Sequence, residues 1–156
     1  MLRFFFLYFF LLSCSLNTDT SQKSATYTFI FSHADWKRQQ DLQVDHIFVN
    51  NKNSQLAVKS LCARYLRTPL KSLSENLTAG ITKKEVHREE KIMFENREAV
   101  EIIATGEIDG LPIALRALTV RKNNCLYDIF LTANSLTELE SYSDVWNQAL
   151  KGFSIQ

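Results

Sequence analysis

Glycine is scarce in this chain, with four residues in 156. Neither a GxGxxG nor a GxxxxGK[ST] phosphate cradle can be assembled from so few, so nucleotide-binding loops of those types are excluded. A GxSxG elbow for a serine nucleophile is missing too. The histidines are only His33, His46 and His87, and none has a partner at HxH, HxxxH or HExxH spacing, so each reads as structural. Charge of one sign is also lacking, with 18 Lys+Arg against 17 Asp+Glu. The adjacent basic pairs Lys37-Arg38, Lys83-Lys84 and Arg121-Lys122 read as solvated strand or turn ends. A nucleic-acid binder would carry a basic surplus or patch, and this chain has neither.

Long apolar runs are absent as well. Phe4 to Leu12 is free of charge but too short to cross roughly 30 Å of hydrocarbon as a helix. Preceded by Arg3 and the amino terminus, it has the form of a secretory signal's apolar region. Leu11-Leu12-Ser13-Cys14 then resembles the lipobox of bacterial lipoproteins, with an aliphatic residue three before the cysteine and a small one just before it. The resemblance implies cleavage ahead of Cys14 and a diacylglyceryl group on its sulfur, because a thiolate is the nucleophile that this transfer needs. Two or three acyl chains anchor stably, at about 0.8 kcal/mol per buried CH₂. Ser15, in place of Asp after the cysteine, resembles an outer-membrane address facing the periplasm.

Residues 1–13 are therefore expected to be a signal peptide and 14–24 a lipidated tether, since Leu16 to Ser24 is polar and without periodicity. Arg3 is the only charged residue ahead of Cys14, so the remainder holds one basic residue fewer than 18, namely 17, against 17 acidic ones. That remainder suffices for a single domain over 25–156 with a real core.

Within the domain the hydrophobic period is mostly two. Tyr27 to Phe31 and Val44 to Val49 read as strands, and Asn50 to Asn53 as a turn. From Leu56, alternation puts Val58, Ser60 and Cys62 on one face and Ala57, Leu61, Ala63 and Tyr65 on the other. Thr68-Pro69 is expected to open a helix, with Thr68 as cap, Leu70, Leu73 and Leu77 as apolar stripe, and Gly80 ending it in a left-handed conformation. Lys84 to Ala133 reads as an antiparallel meander. Its edge is the polar Val86 to Phe94, and it turns at Glu95-Asn96-Arg97, Asp109-Gly110 and Asn123-Asn124. In that meander Val100, Ile102 and Ala104 oppose Glu101 and Thr105. Cys125 to Ala133 is the last expected strand. Ser135-Leu136-Thr137-Glu138 fits a capping box, and Leu139, Tyr142, Val145, Trp146 and Ala149 recur at helical spacing, with Leu150 and Phe153 continuing the apolar side. Trp36, Trp146, Phe29, Phe31 and Tyr142 are core candidates. The fold class is α+β, a twisted antiparallel sheet with helices packed against it.

The element order resembles the Mog1/PsbP-like family, which includes small bacterial lipoproteins. The likeness rests on Thr68-Pro69-Leu70 with its short helix, on Gly106, Gly110 and the Asn123-Asn124 turn, on Cys125-Leu126-Tyr127-Asp128-Ile129, and on the ending Leu150-Lys151-Gly152-Phe153-Ser154. It implies an α/β/α sandwich and a non-catalytic role in interaction or assembly.

Cys62 and Cys125 remain once Cys14 is set aside. An even pair in an exported domain is expected to form a disulfide, the alternative being two buried thiols. The alternating charges of Lys83, Lys84, Glu85, Arg88, Glu89, Glu90 and Lys91 are the solvent side of an edge strand or a rim that docks a partner. The expected function is a lipid-anchored, non-enzymatic envelope protein that docks a membrane-proximal protein partner or helps assemble it, with no metal, cofactor or nucleic acid. The alternative is a binding module for a small hydrophobic or lipid-like ligand, which requires an apolar cavity between sheet and helices.

Overall fold

The computed structural model describes residues 27–62 and 68–156. Cys14, the expected signal and tether, Ala63 and Tyr65 lie outside them. The strands are β1 (Tyr27–Phe29), β2 (Trp36–Gln39), β3 (His46–Asn50), β4 (Gln55–Cys62), β5 (Thr82–Phe94), β6 (Arg97–Ile108), β7 (Leu111–Lys122), β8 (Cys125–Ala133) and β9 (Phe153–Ile155). The helices are α1 (Leu70–Asn76), α2 (Leu136–Ser141) and α3 (Ser143–Gly152). Seven strands form one antiparallel sheet in the order β2-β3-β4-β8-β7-β6-β5, and β1 pairs separately with β9.

The meander from β5 to β8 forms as expected because its turns are built, Glu95 apart, from residues that accept a positive φ. Glu95-Asn96, Asp109-Gly110 and Asn123-Asn124 each place two successive residues there, which matches the twist of the flanking strands. β5 is the edge strand, mostly polar from Thr82 to Lys91 and interrupted by two register shifts, a common protection against pairing with other chains. The other edge, β2, was not expected from the sequence.

Directly paired residues share a sheet face. One face carries Trp36, Phe48, Leu56, Val58, Tyr127, Ile129, Leu131, Leu118 and Val120, and α2, α3, β1 and β9 close it into the main core. Trp146 is fully buried there, Phe153 stacks near Tyr27, Phe94 and Tyr127, and Phe31 meets Phe48 and Trp36. The expected aromatic core residues all belong to this layer.

Four local expectations are corrected. Thr68 does not cap α1. Pro69 takes the cap position with an extended ψ of 141°, its carbonyl accepts from Leu73, and the Thr68 carbonyl is instead held by the Arg121 guanidinium at 3.0 Å. Gly80 does not end α1 either. The helix stops at Asn76, a string of turns follows, and Gly80 has no positive φ. The expected closing helix is two helices broken at Tyr142. The hydroxyls of Ser141 and Ser143 bond back to the carbonyls of Glu138 and Glu140, competing with the helical ladder around the break. Phe153 leaves the helix altogether and starts β9, so Cys125–Ala133 is not the last strand.

Candidate functional site

Among the described residues, the opposite sheet face is only half covered. There α1 packs Leu70 and Leu73 on Val100 and Leu126, and Leu77 reaches the neighbouring cluster of Ile81, Ile102, Leu115 and Ala117. The register puts Ile47, Val49, Phe130 and Thr132 on this same face, and all four remain partly exposed. Beyond the end of α1 lies an apolar recess of about 210 Å³ lined by Leu77, Ile81, Ile108, Ile113, Leu115, Phe130 and Thr132. Small-molecule sites usually occupy about 300–1,000 Å³, so this one is small, and it opens to solvent. The β6–β7 hairpin forms its lip, and Leu111 at the tip is 70 % exposed, with Ile108 also open.

Ile108 and Leu111 flank the Asp109-Gly110 turn and, with the recess beside them, make a continuous apolar patch open to solvent. Sequence reasoning took Asp109-Gly110 as a hairpin and passed over its neighbours. The signal that would have identified the lip is the run Ile108-Asp109-Gly110-Leu111-Pro112-Ile113.

The remaining candidates resolve as follows. Cys62 and Cys125 face each other across β4 and β8 and form a disulfide. His33, His46 and His87 lie apart. His46 is wedged against Tyr27 and Phe29 and touches the Arg38 guanidinium at 3.3 Å, and His87 bonds Thr105 at 2.7 Å. Among the described residues no three His, Cys, Asp or Glu side chains gather as metal ligands. Ion pairs within the fold occupy much of the expected charged rim: Lys83 with Glu107 (2.9 Å), Lys91 with Glu98 (3.1 Å), Glu89 with Lys71 (3.6 Å), and Arg88 with Glu90. The Arg88 hydrogen bond holds the Glu90 carboxyl below its ordinary value.

Two polar clusters, centred on Glu101 and Glu138, were not anticipated. Glu101, on the face of β6 opposite Val100, Ile102 and Ala104 as expected, is 3 % exposed. It accepts from Arg116 at 2.9 and 3.0 Å and from the Trp146 indole at 3.1 Å, while the Arg116 guanidinium lies 4.9 Å from the Trp146 ring centre. Glu138 caps the β3–β4 turn, accepting from Ser54 (3.0 Å) and Tyr142 (2.9 Å), and Tyr142 in turn accepts from Asn50 (2.8 Å). Burial pushes the Glu138 carboxyl up, but the Tyr142, Ser54 and Asn134 hydrogen bonds and the Lys52 charge outweigh it, and the group sits below its ordinary value. Both clusters fasten helices to the sheet, and neither borders the recess.

The architecture is PsbP-like. No known family profile and no curated protein matches the sequence. Solved structures do match the fold, each at 12 % identity. LpqN of Mycobacterium tuberculosis, involved in cell envelope biogenesis, superposes with a TM-score of 0.62 over 90 % of this chain and 87 % of its own. CyanoP, the PsbP of Synechocystis sp. PCC 6803, gives 0.58 over 94 % and 99 %. PA94 of Pseudomonas aeruginosa, a protein of unknown function, gives 0.53 over 78 % and 97 %. Among the described residues no helix is long and apolar enough to cross a membrane.

Proposed function

We propose that the chain is a lipid-anchored, non-enzymatic envelope protein that docks a membrane-proximal protein partner through the half-covered sheet face and the lip at Ile108 and Leu111. The observation that carries this reading is that open apolar face. It fits a flat or convex partner better than an enclosed small molecule, which would need a deeper cavity. The LpqN-like fold and the lipobox-like Leu11-Leu12-Ser13-Cys14 support an envelope setting. Cys14 carries the acyl group on this reading, and the outer membrane is the favoured address.

Two measurements test it. Cys14→Ala should move the protein from the membrane to the soluble fraction and remove the mass of the acyl chains; a variant still bound to membranes defeats the anchor. A photo-crosslinking residue at position 111 or 113 should capture one envelope protein in intact cells, whereas one at Glu140, exposed on the covered side, should not. Equal capture from both positions, or from neither, removes the docking face.

A further inference from the structure

The strands give the sheet two ends. β6 begins, β7 ends, β8 begins and β4 ends at one of them, and the β6–β7 hairpin carrying Leu111 lies at the other. Tyr27, the first described residue, belongs to the first end. It pairs with Ile155, whose carbonyl accepts from Lys122 at the foot of β7 (2.8 Å), and its hydroxyl donates to Asp45 Oδ2 (3.0 Å). Burial and the Asp45 carboxylate raise the Tyr27 phenol above its ordinary value, so the hydroxyl keeps its proton and the contact holds. Asp45 closes the connection from β2 to β3, so that connection sits where the chain enters the domain. At its tip Asp41 Oδ1 accepts the Gln43 N–H at 2.6 Å, and the turn thrusts Leu42 outward, 97 % exposed.

We propose that Leu42 is a lipid-contact residue, inserting at the bilayer surface and standing the anchored domain with its Leu111 lip away from the membrane. This rests on the anchor reading. Twelve residues separate Cys14 from Tyr27. A chain of that length spans at most about 40 Å even fully extended, so the first end stays within that distance of the lipid. A tethered group meets the surface at high effective concentration, so one aliphatic side chain suffices to bias orientation even though it would not bind alone. Gln40, Asp41 and Gln43 around it are exposed and polar, giving an apolar point in a hydrated ring that suits the headgroup layer and not a dry protein interface. The Leu111 lip, one strand length of roughly 40 Å further on, is then presented to partners that project from the membrane.

The test uses the full acylated chain in vesicles of phosphatidylethanolamine and phosphatidylglycerol, with and without lipid brominated near the headgroup. Trp36 and Trp146 are buried, so the parent protein supplies the background. Leu42→Trp should lose its added emission to the brominated lipid, and Leu111→Trp should not. Equal quenching at both positions, or at 111 alone, overturns the proposal. A blue shift at 42 without quenching also overturns it, because a second copy then covers the loop. If the parent chain fails to float with the vesicles, the anchor reading fails and this proposal with it. If the chain floats and Leu42→Trp stays unquenched, only the orientation fails.

Discussion

Glu101 and Asp128 lie on opposite faces of the sheet, and their surroundings differ in what they offer a negative charge. Glu101 meets Arg116 twice, the Trp146 indole and, at 3.6 Å, Arg88. Removing Arg116 alone should therefore leave a buried charge without its main partner. Arg116→Met is expected to cost about 3–5 kcal/mol, while the double variant Glu101→Leu/Arg116→Met should recover most of that loss. Urea unfolding of both measures it; a double variant as unstable as the single one would mean that packing on Trp146, not charge, sets the cost. Among the described residues, Asp128, 7 % exposed, has the Thr119 hydroxyl at 2.8 Å and the charge of Lys59. Burial wins over both and pushes its carboxyl up to about 6. In the unfolded chain the group titrates near 3.9, so between about pH 4 and 6 the folded protein holds a proton that the unfolded chain has released. Its contribution is fully present below about pH 4 and is lost as the pH rises through about 6. Asp128→Asn keeps an acceptor for Thr119 and cannot ionise. The variant should match the parent near pH 4 and exceed it at pH 7.5 by about 3 kcal/mol, read from urea midpoints at the two pH values. An unchanged pH slope would place the titration on another group.

At the scale of elements, the hairpins were the most legible part of the chain, because their cause is local. A turn with two positive φ angles calls for Asn, Asp or Gly, and Asp109-Gly110 and Asn123-Asn124 state it openly. The third such turn departs from that chemistry: Glu95 holds φ 51°, where a side chain of its length gains nothing. Glu95→Asn should therefore stabilise the β5–β6 hairpin by about 1 kcal/mol, raising the midpoint of thermal unfolding; no change would mean that the turn relaxes out of the left-handed region. What the sequence concealed was non-local. β2 has only Trp36 buried among four residues, so no alternation announces it, and its pairing with β3 forms the strand. The break at Tyr142 accompanies bonds from its hydroxyl to Glu138 and from Asn50, the latter 92 positions away. The burial of Glu101 comes from Arg116, 15 positions on, and Trp146, 45 positions on, which close over it. The candidate site divides the same way. The face of β6 beside it, with Val100 and Ile102, was readable from period two, but the openness of the recess depends on how little of the sheet α1 covers. Gly152 carries a similar hidden constraint, since a Cβ there would stand 1.9 Å from the Ile30 carbonyl oxygen.

Across the whole molecule, the β4–β8 pairing joins two halves that are otherwise each made of near neighbours in sequence. On one side stand β2, β3 and β4; on the other, the meander from β5 to β8. The Cys62–Cys125 disulfide closes that junction over a sequence separation of 63. In the chain-entropy account, a loop of that size removes enough freedom from the unfolded chain to be worth about 4 kcal/mol. Single domains are stable by about 5–15 kcal/mol, so this cross-link is a large share of the total. The paired variant Cys62→Ser/Cys125→Ser should therefore unfold at a clearly lower urea concentration. It should also unfold with a steeper dependence on urea, because an unlinked chain expands further and exposes more surface. The two readouts separate the explanations: a lower midpoint with an unchanged slope would assign the loss to packing between the two strands in the folded state. A fold that draws about 4 kcal/mol from an oxidised pair is most stable where disulfides persist, which is the expected setting of a chain whose amino terminus resembles a lipoprotein signal. Reduction of the purified domain with dithiothreitol should reproduce the double-serine variant's midpoint, while the sheet and its open face should survive in the folded fraction.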